Sequence, residues 1–82
     1  DEKMKKIKEW LIYAVIEAEK EMKYGTGRAK LRKVYDMFLR TFPSVAEIIT
    51  FEAFSGMVDQ ALVEMEHLIE TNPNIKRYLY EE

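Results

Sequence analysis

The sequence predicts an all-α fold, a three-helix bundle with a short extra helical turn (45–49) and a short C-terminal helix (74–80). Apolar residues recur at alternating spacings of three and four in three long segments, which is the period of an amphipathic helix. Glycine or proline separates these segments, and none alternates with the period of two that a strand requires. With 82 residues, 48% of them hydrophobic, the chain is predicted to be a single helical domain, 1–82.

The first predicted helix covers residues 2–24. Its apolar positions form one stripe, made by Met4, Ile7, Leu11, Ala14, Ala18 and Met22. Gly25 and Gly27 follow, and we expect them to end the helix, because glycine adopts the left-handed conformation that many helix C-termini use.

The second predicted helix covers residues 28–41, and Pro43 stops it, since the residue before a proline avoids helical angles. A helical turn over 45–49 comes next. Ser44 and Glu47 have the spacing of a capping box, in which each side chain bonds the backbone amide of the other residue. We therefore expect Ser44 to cap this turn.

The third predicted helix covers residues 51–71, with Thr50 as its N-cap and Asn72-Pro73 as its end. Pro73 is well placed to open the C-terminal helix, because proline suits the first helical position. Gly56 lies inside the third helix, where glycine costs stability. The expected reason for it is a close crossing, against the first helix.

Three apolar residues lie to the side of the first helix's main stripe, on a face that three helices do not obviously cover. These residues are Ile12, Tyr13 and Ile16. We expect one of two arrangements: either the C-terminal segment with Ile75, Tyr78 and Leu79 covers these residues, or a second copy of the chain covers them. We prefer the first arrangement, and the same three residues are the candidate interface of a homodimer, since exposed apolar patches tend to mark contact surfaces.

Charge is divided unevenly along the chain. Residues 1–40 contain eleven Lys or Arg and seven acids, whereas residues 41–82 contain two and eight. Four basic residues after the glycine turn are a candidate contact for an anion or a partner: Arg28, Lys30, Arg32 and Lys33. The alternative is that oppositely charged helix faces attract one another inside the bundle. We favour the alternative, because the net charge is −2 and nucleic-acid-binding domains usually carry a basic excess.

No motif in the sequence predicts an enzyme or a cofactor. The Gly25–Lys30 segment resembles an anion-binding loop, but no strand precedes it and its spacing is not that of a P-loop. Glu64 and His67 have the spacing of a carboxylate-bridged metal site, yet such a site needs a second pair and the chain has one histidine. The chain has no cysteine, which fits a reducing cytoplasm.

Several short motifs between Trp10 and Leu68 are shared with a known group of proteins: Ala18-Glu19-Lys20, Gly25-Thr26-Gly27, Lys30-Leu31, Val34-Tyr35-Asp36, Phe38, Phe42-Pro43, Ile49-Thr50-Phe51, Phe54, Val58-Asp59 and Ala61-Leu62. Through these residues the stretch resembles the soluble part of the LL-H class of phage holins. Holins of this class carry a transmembrane helix before that part, and the longest apolar run here has seven residues. The resemblance implies an origin in a phage or prophage of Gram-positive bacteria.

The expected function is that of a non-enzymatic phage accessory protein in the host cytoplasm, acting by protein–protein contact. The expected partner is a second copy or another host or phage protein. Two alternatives remain open. One is the soluble oligomerising domain of a holin-like membrane protein. The other is nucleic-acid or anti-defence binding through the basic residues after the glycine turn.

Overall fold

A computed structural model describes residues 1–81; Glu82, the last residue of the predicted domain, lies outside them. The helices are α1 (Glu2–Glu21), α2 (Gly27–Thr41), α3 (Pro43–Ala46), α4 (Phe51–Thr71) and α5 (Pro73–Tyr80). The described part of the chain contains no strand. The structure therefore confirms the all-α bundle with an extra turn and a short C-terminal helix. The extra turn covers 43–46 instead of the predicted 45–49, and the C-terminal helix begins one residue earlier than predicted.

The core is built from the predicted apolar stripes. Its largest fully buried side chains are Ile7, Leu11, Val34, Phe38, Phe54 and Leu79. The Phe38 and Phe54 rings, from α2 and α4, lie 4.7 Å apart between centroids, and Trp10 of α1 packs edge-on against Phe42 at 5.3 Å. Aromatic rings from α1, α2 and α4 therefore meet where α2 ends and α4 begins.

The direction of each helix follows from the residues that meet. Trp10 lies near the end of α2, whereas Glu21 pairs with Lys33 near its middle, so α2 runs antiparallel to α1. Ile12 lines one groove with Met57, and farther along Ala18 lines another with Met65. Hence α1 and α4 run in the same direction, and α1 packs against both α2 and α4.

The last helix, α5, crosses from the end of α4 to the end of α1. The Lys20 Nζ donates a hydrogen bond to the Tyr78 carbonyl at 2.6 Å, and the Tyr78 hydroxyl donates one to Glu17 at 2.6 Å. Leu79 is 1% exposed. This helix therefore closes one end of the bundle around an apolar anchor.

The end of α1 differs from the prediction. The helix stops at Glu21, and Met22 is its C-cap with a φ of −120°. Neither Gly25 nor Gly27 has a positive φ, so the predicted left-handed termination is wrong. Instead, the Gly25 amide donates to the Met22 carbonyl at 2.7 Å, and a Cβ on Gly25 would lie 3.2 Å from that oxygen. Close contact in a tight turn is the reason for a small residue here.

Two further local predictions are wrong. Ser44 is not a cap: α3 begins at Pro43 with Phe42 at the N-cap, and no side chain makes a capping bond there. The helix begins one residue before the serine because proline, with its fixed φ, suits the first helical position. Gly56 does not mark a helix crossing, because a Cβ built on it would meet no atom within 4 Å. The predicted Thr50 cap is confirmed, its hydroxyl accepting from the Ala53 amide at 3.0 Å.

Candidate functional site

An open groove lies between the first half of α1 and the middle of α4. We call it the α1–α4 groove, and its volume is about 380 Å³. Its lining residues are Lys8 and Ile12 from α1, and Met57, Gln60, Ala61, Val63 and Glu64 from α4. A shallower depression beside Met4 and Lys5 shares Lys8 and Ile12 with it, so the groove continues toward the start of α1.

The candidate interface residues of α1 have different environments. Ile16 is only 8% exposed and belongs to the core, so it cannot contact a partner from its present position. Ile12 is half-buried in the floor of the α1–α4 groove, and Tyr13 is 57% exposed. Tyr78 and the two residues that it bonds, Glu17 and Lys20, place α5 beside Ile16. The chain itself thus covers one of the three residues and leaves the other two accessible.

The α4 wall of the groove combines apolar and acidic side chains. Val63 is 67% exposed, Met57 is half-buried and Ala61 is only 4% exposed. Glu64 is exposed on this wall, and Lys8 is exposed on the opposite wall. Neither residue is in an ion pair within residues 1–81. The groove therefore has an apolar floor between a basic rim and an acidic rim.

The basic residues after the glycine turn mostly meet acids of the same chain. The Lys30 Nζ lies 2.9 Å from Glu19, and the Lys33 Nζ lies 2.9 Å from Glu21. Arg32 lies 3.3 Å from Asp36, one helical turn later.

Arg28 is exposed and has no acid within ion-pair distance among the described residues. Exposed ion pairs stabilise a fold little, but they do reduce the positive potential that an anion would meet. Lys30 and Lys33 of α2 therefore pair with acids of α1, which is the arrangement favoured from the sequence over an anion site.

A second groove opens where α2 and α4 diverge, with α1 as its floor. It has a volume of about 250 Å³, and Val15, Leu31 and Leu62 are among its apolar lining residues. Neither this groove nor the α4 wall of the first one was predicted from the sequence. Val63 was the available signal, because it is an apolar residue off the main α4 stripe.

Reactive groups are dispersed over the surface. Within residues 1–81, no three metal-ligating side chains come together, and both Glu64 and His67 are exposed. The hydrogen bond to Glu17 raises the pKa of Tyr78, with smaller contributions from burial and from the negative charge of Glu17. This bond stabilises the neutral phenol and holds α5 to α1.

Comparison of the chain with protein-family models, with curated proteins and with solved structures finds no match. Among the helices that the structure describes, none is both long and apolar enough to cross a membrane.

Proposed function

We propose that this protein is a non-enzymatic accessory protein of a phage or prophage that acts by protein–protein contact and associates with itself through the α1 side of the bundle. The phage setting is supported by the sequence resemblance to the soluble part of LL-H holins. The contact function is supported by one observation, the open α1–α4 groove with the exposed Val63 at its edge.

Exposed apolar side chains are common when they are scattered singly, and they mark contact surfaces when they gather around a concavity. Ile48, at 84% exposure, is of the scattered kind, since it lines no groove described above. Val63 is different, because it shares a groove with Ile12, Met57 and Ala61. A partner's side chain in this groove would remove apolar surface from water on both molecules.

Sedimentation velocity over a range of micromolar concentrations tests the proposal. We expect the average mass to rise with concentration, and we expect Ile12→Glu to reduce that rise because it places a charge in the groove floor. Ile48→Glu is the matched control, since it adds the same charge at an exposed position outside the groove. Far-UV circular dichroism checks that both variants keep their helices. A wild-type chain that stays monomeric throughout contradicts self-association.

The holin-like alternative has its own support in the resemblance of residues 10–68. It requires an apolar stretch of about 20 residues ahead of this domain in the full reading frame. The sequence of that reading frame decides the matter. A start codon immediately before Asp1 would contradict the alternative.

A further inference from the structure

The start of α1 is basic, whereas α4 is acidic. Residues 3–8 at the start of α1 include four lysines, whereas α4 has five acids and no Lys or Arg. The acids are Glu52, Asp59, Glu64, Glu66 and Glu70. None of these lysines or acids is in an ion pair within the described chain. At the groove itself the opposed charges are Lys8 on one wall and Glu64 on the other.

This arrangement of charge selects among possible occupants. A uniformly basic partner would meet Lys8 as a like charge, and a uniformly acidic partner would meet Glu64 in the same way. A groove with a lysine on one wall and a glutamate on the other is complementary to its own copy. Rotation about a two-fold axis that runs along the groove places each wall opposite the other wall of the second copy, in an isologous interface like those of most homodimers.

We propose that the α1–α4 groove is a two-fold homodimer interface in which Lys8 of each copy faces Glu64 of the other. This inference rests on the self-association in the proposed function and specifies its contacts. Val63 is the apolar anchor, because it is 67% exposed at the groove edge and the floor opposite it is apolar. Each anchor enters the partner's groove above Ile12 and Ala61.

Charge reversal tests the pairing. In Lys8→Glu alone, both cross-pairs become acid against acid, and in Glu64→Lys alone both become base against base. We expect each variant to self-associate about tenfold to a hundredfold more weakly than the wild type, from two exposed pairs turned repulsive. An equal mixture of the two variants restores both attractive pairs, so it should form a heterodimer about as strong as the wild-type dimer.

The experiment is sedimentation velocity on each variant alone and on the mixture, with melting temperatures to check folding. Lys76→Glu and Glu47→Lys are the matched controls, since they reverse the same charges at exposed positions outside the groove. We expect both controls to associate like the wild type.

A wild-type dimer that is indifferent to both reversals, or a mixture that stays as weak as its components, overturns the pairing but leaves the proposed self-association standing. A wild-type chain that is monomeric at every concentration overturns both.

Discussion

Leu79 is the buried anchor of α5, and replacing it by Ala tests whether this eight-residue helix closes the bundle. The side chain is 1% exposed, so the substitution removes its contacts almost completely. Buried Leu→Ala changes cost about 2–5 kcal/mol, partly through the cavity left behind. A helix of eight residues is not stable alone, so α5 can detach instead of tolerating a cavity. Because detachment of α5 avoids a cavity, it limits the loss of stability. We therefore expect the free energy of unfolding to decrease by about 2–3 kcal/mol, the lower part of that range.

Urea denaturation followed by Trp10 fluorescence measures this loss, because the single tryptophan packs against Phe38 of α2 and against Phe42 just after it, both of which lie outside α5. Hydrogen exchange of residues 73–80 reports detachment separately, and we expect faster exchange there than in α4. Tyr80→Ala is the control, since Tyr80 lies on the same helix but is 44% exposed. If Leu79→Ala costs less than about 0.5 kcal/mol, the value typical of surface positions, α5 does not close the bundle as described.

Three other predictions concern local features. Gly56→Ala should raise stability by about 1 kcal/mol, because the new Cβ meets no atom within 4 Å and alanine favours the helix; a lower melting temperature would contradict this. Thr50→Ala should cost about 1 kcal/mol through the lost N-cap, whereas Ser44→Ala should change stability by less than about 0.5 kcal/mol; equal urea midpoints for the two variants would refute the assignment of caps. The raised pKa of Tyr78 means that its bond to Glu17 contributes fully below the ordinary tyrosine value of 10.0 and is lost as pH rises through the raised value. Wild type should therefore lose stability relative to Tyr78→Phe across that alkaline range, and a constant difference between the two would exclude the linkage.

The ends of α4 could be predicted because short-range chemistry determines them. Thr50 caps the helix with its own hydroxyl, and Asn72-Pro73 ends it within two residues. The end of α1 could not be predicted in the same way, because a glycine can serve either a left-handed termination or a close backbone contact. Only the geometry of the turn from Met22 to Gly25 distinguishes the two.

Only part of the candidate site could be predicted from the sequence. The position of Ile12 beside the main stripe follows from helical periodicity alone. The neighbour of Ile16 in the chain, Glu17, is bonded by Tyr78 of α5, which lies 61 positions later and which no local pattern places there. The α4 wall was missed for a related reason, since no periodicity states which residue of α4 lies opposite Ile12. That alignment is a property of the packed bundle, as is the pairing of Lys30 with Glu19.

The closure of the bundle by α5 has a consequence for synthesis. Glu17 and Lys20 leave the ribosome early, but the residue that they both contact, Tyr78, is made 61 and 58 positions later. Until then, the side of α1 around Ile16 stays open to water, to a chaperone or to a neighbouring nascent chain. Folding of this domain is therefore completed only after almost the whole of it has been translated.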